Sequence, residues 1–68
     1  MKVFGIEISL GNAVAIAAAV ASLFNLNSHQ EAMVNNYVKM QTNSWILSRK
    51  SEKEIEDSIS GYVMEIKD

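Results

Sequence analysis

The chain opens on a loose alternation. Phe4, Ile6 and Ile8 fall on one side of an extended segment, with Gly5, Glu7 and Ser9 on the other. A period of two marks a half-buried strand, so residues 1–9 read as a short strand or an extended lead-in. Gly11 and Asn12 interrupt it, and either Ser9 or Asn12 can cap a following helix through a side-chain oxygen. Then comes AVAIAAAVASLF, residues 13–24, in which six of twelve residues are alanine. Alanine is the strongest helix former, and an apolar helix is expected over residues 10–27.

Beyond it, polar positions take over. Ser28 followed by Glu31 fits a capping box, in which the two residues satisfy each other's free N–H groups. It opens a polar amphipathic tail over residues 28–68. Met33, Tyr37, Met40 and Leu47 recur there at helical spacing, with Ser44 in the gap and Trp45 and Ile46 widening the stripe. A second capping box, Ser51 to Glu54, places a break near residues 49–51. The last helix carries Ile55 and Ile59 and, if it runs through Gly61, Tyr62 and Ile66. The alternative ends at Gly61, a common residue just past helix ends, and leaves 62–67 as a strand able to pair with residues 3–8. The helix is preferred. The expected fold class is therefore all-α: an apolar helix, then one or two amphipathic helices, with possible short terminal strands.

Composition sharpens this picture. With 68 residues there is room for one thin domain, and domains of this size bury a small share of their surface. No cysteine is present, so disulfides and thiolate metal sites are out, and His29 alone cannot anchor a zinc ion. The absence of proline favours long uninterrupted helices. Stability is therefore expected to come from lipid or from other protein chains. The net charge is −2, with only Lys2 and Glu7 charged in residues 1–26. Nucleic-acid binding needs a basic stripe, which this chain lacks.

The apolar segment admits three readings. As a secretion signal it offers Lys2 and the small residues Ala19 and Ala21, but its lead is long and carries Glu7. As a membrane span its purely apolar run is short. Taken from Val3 to Leu26 as one helix, however, it would reach roughly 36 Å, with Glu7, Asn25 and Asn27 near the ends. As a protein-buried helix it would pack against copies of itself. At about 100° per residue, Gly11, Ala15, Ala18, Ser22 and Asn25 share one stripe, opposite Ile16, Val20, Leu23 and Phe24. Small faces let helices approach closely in lipid, and that stripe is the expected helix–helix interface.

The membrane reading is preferred, because a helix apolar on both faces needs several partners in water and the tail is too polar to wrap it. The cytoplasmic side would hold the N-terminus, where Lys2 lies.

Chemistry is thin. The acids of EKEIED, residues 52–57, could act as paired carboxylates. On a helix, though, Glu52 and Glu56 share a solvated face and Lys53 pairs with Asp57. No enzyme, cofactor, metal or small-molecule substrate is expected. Packing of the tail is assigned to Met33, Tyr37, Met40, Trp45, Leu47, Ile55, Ile59, Tyr62 and Ile66. The expected function is that of a small single-pass membrane protein, a structural or accessory subunit of an oligomeric assembly such as a virion membrane or a bacterial inner-membrane complex. Its partners would be lipid and copies of itself or larger subunits. A holin-like oligomeric pore former and a soluble or filament-forming helical homo-oligomer are the alternatives.

Overall fold

In the computed structural model, which describes residues 1–67, two short strands precede three helices. Strand β1 (Lys2–Val3) pairs antiparallel with β2 (Ile6–Glu7), with Lys2 opposite Glu7 and Val3 opposite Ile6. The two turn residues, Phe4 and Gly5, both have positive φ, 54° and 78°. That is the left-handed geometry that matches hairpin twist, and it normally favours Asn-Gly. Phenylalanine is held there by tertiary contacts described below.

Helix α1 (Ala13–Phe24) is ended by asparagine on both sides. The Asn12 side chain accepts the Ala15 N–H at 3.2 Å, an N-cap bond. Asn25 takes the left-handed conformation at φ 57°, and the Leu26 N–H returns to the Ala21 carbonyl at 2.9 Å, the bond that closes a Schellman cap. Helix α2 (Ser28–Leu47) begins with a reciprocal capping box between Asn27 and Gln30. This lies one residue before the Ser28–Glu31 box expected from sequence. Asparagine and glutamine carry the same paired acceptor chemistry as Ser and Glu, so neighbouring registers compete. Helix α3 (Glu52–Lys67) starts at the Ser51–Glu54 box, with both bonds present at 2.9 and 3.2 Å. It runs unbroken through Gly61, so residues 62–67 are helical rather than a strand paired to the N-terminus. Asp68, the last residue assigned to the tail, lies outside the described residues.

The fold is thus mostly helical, but its first helix is too short to cross a membrane. Twelve residues extend about 18 Å, short of the roughly 30 Å hydrocarbon core. No described helix is long and apolar enough to cross. The reason is local: Asn12 and Asn25 stop α1 at both ends, and residues 3–8 form the hairpin instead of extending the helix.

The apolar side of α1 goes into a shared core. Ala13, Ile16, Ala17, Val20 and Ala21 are buried, together with Ile8, Val34, Val38, Trp45, Ile55, Ile59 and Val63. Alanines 13, 17 and 21 recur every four residues, so α1 and α2 approach closely and share the most extensive helix contact in the molecule.

Candidate interaction surface

The small-residue stripe proposed as an interface lies away from this core. Gly11, Ala18, Ser22 and Asn25 are exposed and Ala15 is half-buried. The buried side of α1 is rotated from the stripe by roughly 150° at about 100° per residue. Of the stripe only Ala15 packs against the core, and the buried small residues of α1 are Ala13, Ala17 and Ala21.

The tail residues divide in two. Ile55 and Ile59 are fully buried, and Trp45 nearly so. Tyr37, Tyr62 and Ile66 pack half-buried against the same core. Tyr37 stacks on Tyr62 at 4.2 Å between ring centroids and meets the edge of Trp45 at 6.2 Å. Its hydroxyl lies 2.6 Å from the Ser58 hydroxyl. Aromatic pairs of this kind contribute about 0.5–1.5 kcal/mol beyond simple burial, so this trio ties α2 to α3. Met33 is half-buried, while Met40 and Leu47 stand in solvent, 78% and 83% exposed. The buried stripe of α2 is Val34, Val38 and Trp45, with half-buried Gln41 in the same register. It sits one position, or about 100° of helix rotation, after Met33, Tyr37, Met40 and Ser44.

The carboxylates of α3 have a role that sequence alone missed. Glu52 and Glu56 are not simply a solvated face. Glu52 Oε2 accepts the Lys2 N–H, and Glu56 Oε2 accepts the Phe4 N–H at 2.6 Å. Lys2 in β1 and Phe4 in the turn that follows are two residues apart on the outer side of the hairpin, and the two acids are one turn apart on α3. The strand and helix repeats therefore match, and the unpaired edge of the hairpin is covered. The Phe4 ring meets Phe24 edge-on at 6.0 Å, which holds the turn in its unfavourable conformation. At the far end of α3, Lys67 Nζ donates to the Phe24 carbonyl at 2.9 Å, placing a cation at the negative end of α1. Lys53 and Asp57 approach to 3.8 Å.

Two shallow grooves accompany these contacts. One, of about 330 Å³, lies between α1 and α2 and is lined by Val14, Ala17, Ser28, Glu31, Ala32 and Asn35; Asn35 Oδ1 is buried there without a hydrogen-bond partner. The other, of about 500 Å³, runs between α2 and α3 past Trp45, Lys50, Glu54 and Asp57. Neither encloses a cluster of metal-ligating side chains among the described residues. His29 is exposed at the start of α2.

What stands out is the outer face of α2. Its exposed residues are Ser28, His29, Ala32, Asn36, Lys39, Met40, Asn43, Ser44, Ile46 and Leu47, with Lys39 the one formal charge. On α3 the exposed set is Glu52, Lys53, Glu54, Asp57, Gly61, Met64, Glu65 and Lys67, of which six are charged. Depletion of charge around large apolar side chains is the compositional mark of an interface core. No protein family, curated protein or solved structure matches the chain.

Proposed function

We propose that this protein is a structural or accessory subunit of a protein assembly, and that it joins its neighbours through the uncharged outer face of α2. The observation that carries this reading is the exposure of Met40, Ile46 and Leu47, at 78%, 54% and 83%, on a face with a single charge. Packing within the chain cannot account for them, because the inner stripe of the same helix supplies the core. The protein acts by binding: the acids that could have served as a catalytic pair, Glu52 and Glu56, are committed to backbone N–H groups. Insertion of α1 into lipid would require loss of both asparagine caps and withdrawal of Ile16, Ala17 and Val20 from the core.

The test is a photo-crosslinking side chain placed at Met40 in cells making the full chain, with the same group at Met64 as control. Met64 is 68% exposed but sits on the charged face of α3. A discrete protein adduct from position 40, absent from position 64, is the expected result. No adduct, or equal adducts from both, refutes the proposal. Retention of the chain, made alone, in carbonate-washed membranes would return α1 to the lipid reading and refute it as well.

A further inference from the structure

We infer that the groove between α1 and the first turns of α2 binds a primary ammonium group carried on an alkyl stem. Glu31 supplies the counter-charge and Asn35 a second acceptor.

The site begins with a capping box that the fold does not use. Ser28 and Glu31 have the right spacing to cap α2, but Asn27 and Gln30 close that cap instead. The Ser28 hydroxyl and the Glu31 carboxylate are left without a hydrogen bond or ion pair among the described residues. Glu31 is half-buried in the first turn of α2, where the positive end of the helix favours a carboxylate. One turn further on, Asn35 Oδ1 is buried with no partner. Such orphaned acceptors are uncommon in folded proteins.

These groups converge. Ser28, Glu31 and Asn35 are spaced by three and four residues, which sets them within about 60° of one another on α2. All three line the same groove, together with Val14 and Ala17 of α1 and Ala32 of α2. The two idle capping residues and the orphaned amide therefore share one site.

The walls select the ligand. At about 330 Å³ the groove lies at the small end of ligand pockets. Val14, Ala17 and Ala32 offer an apolar surface to a short alkyl stem, and no lysine or arginine lines the groove to balance Glu31. A helix start commonly attracts anions. Here an anion would meet the Glu31 carboxylate, and the Gln30 and Glu31 N–H groups are already bonded to Asn27. A primary ammonium has three donors and no acceptor, matching the oxygens of Glu31, Asn35 and Ser28. Asn35 is half-buried, so a change of its χ1 rotamer carries the amide into the groove and gives its oxygen a donor. Two sources present this group: a free alkylamine, and a lysine side chain of another protein.

NMR titration of the isotope-labelled full-length chain with n-butylammonium, at constant ionic strength up to about 50 mM, tests the site. Saturable shifts are expected at Val14, Ala17, Glu31, Ala32 and the Asn35 side-chain amide. Butan-1-ol lacks the charge and tetramethylammonium lacks the donors; each should bind at least about tenfold more weakly. Glu31→Gln should weaken butylammonium at least about tenfold, and Asn35→Leu about threefold or more. Glu65→Gln, a change to an exposed acid of α3, should have no effect; circular dichroism checks that each variant folds. Nα-acetyl-lysine methylamide separates the sources. Tighter binding than butylammonium assigns the site to a partner's lysine, weaker binding assigns it to a free amine, and both support it. The absence of saturable shifts, equal shifts around Glu31 and Glu65, tetramethylammonium binding as well as butylammonium, or a folded Glu31→Gln variant that binds unchanged overturns the inference. The ligand series uses the natural chain, so it decides the matter without any variant.

Discussion

Helices α2 and α3 use their polar and exposed residues in opposite ways. On α3 these side chains work inside the chain: Glu52 and Glu56 hold the hairpin, Glu54 closes the N-terminal cap, Ser58 meets Tyr37, and Lys67 reaches the end of α1. On α2, Asn36, Lys39, Met40, Asn43 and Leu47 have no side-chain hydrogen bond or ion pair among the described residues. One helix thus accounts for its surface through the fold, while the other leaves an apolar stripe that the fold does not use. Exposure alone means little, since isolated surface hydrophobics are ordinary. The lesson lies in the combination of large apolar side chains, little charge and no intramolecular task.

Substitutions should separate the two surfaces, and the largest effect belongs to the inner side of α3. Ile59→Ala removes a fully buried side chain and should cost about 2–5 kcal/mol in urea denaturation, enough to unfold much of so small a domain. Met40→Ala, removing a comparably large side chain from the outer side of α2, should change monomer stability by less than about 0.5 kcal/mol. Equal losses would erase the contrast. Next comes Glu56→Ala, which leaves the Phe4 N–H without its carboxylate. It should cost about 1–2 kcal/mol and speed hydrogen exchange at Phe4 more than in the α2 backbone.

Two smaller effects refine the picture at the α2–α3 junction. Arg49 sits there at φ 52°, with the Lys50 N–H bonded back to the Trp45 carbonyl at 3.0 Å. Glycine adopts this left-handed position without steric cost, so Arg49→Gly should stabilise the chain by about 0.5–1 kcal/mol, read as a higher denaturation midpoint. The Glu54 carboxyl is held below its ordinary pKa by the Ser51 backbone N–H first and then by the Ser51 side chain; desolvation opposes them, and Lys50 adds a smaller downward pull. A carboxyl depressed by folding stabilises fully above its unfolded pKa, and that contribution disappears as pH falls through the lower folded value. Stability should therefore decline below about pH 4.5. Glu54→Gln, which keeps an oxygen for the Ser51 N–H, should flatten that part of the acid profile.

Some of this architecture was legible before any coordinates. Ser51 and Glu54 announce the start of α3, and Ile55 and Ile59 mark its inner face, because both signals are local. The rest depends on choices that periodicity leaves open. In α2 the larger side chains drew the stripe to Met33, Tyr37 and Met40, whereas Val34 and Val38 fill the core one position later. In α1, alanine occurs on every side, so small residues alone do not identify the buried face. The apolar helix looked long enough for a membrane only if Gly11, Asn12 and Asn25 were passed over as interruptions. Most distant from sequence is the clasp of Glu52 and Glu56 on the hairpin, formed across about fifty positions. Nothing in a charged helical face reveals which of its acids meets a strand edge.

The most direct test places a photo-crosslinking side chain at each exposed position of α1, α2 and α3 in turn, in cells making the full chain. The account requires protein adducts at Asn36, Met40, Asn43, Ile46 and Leu47, with none from the outer residues of α3. Adducts centred on α3 or on the small-residue side of α1, or none at any position, would contradict it.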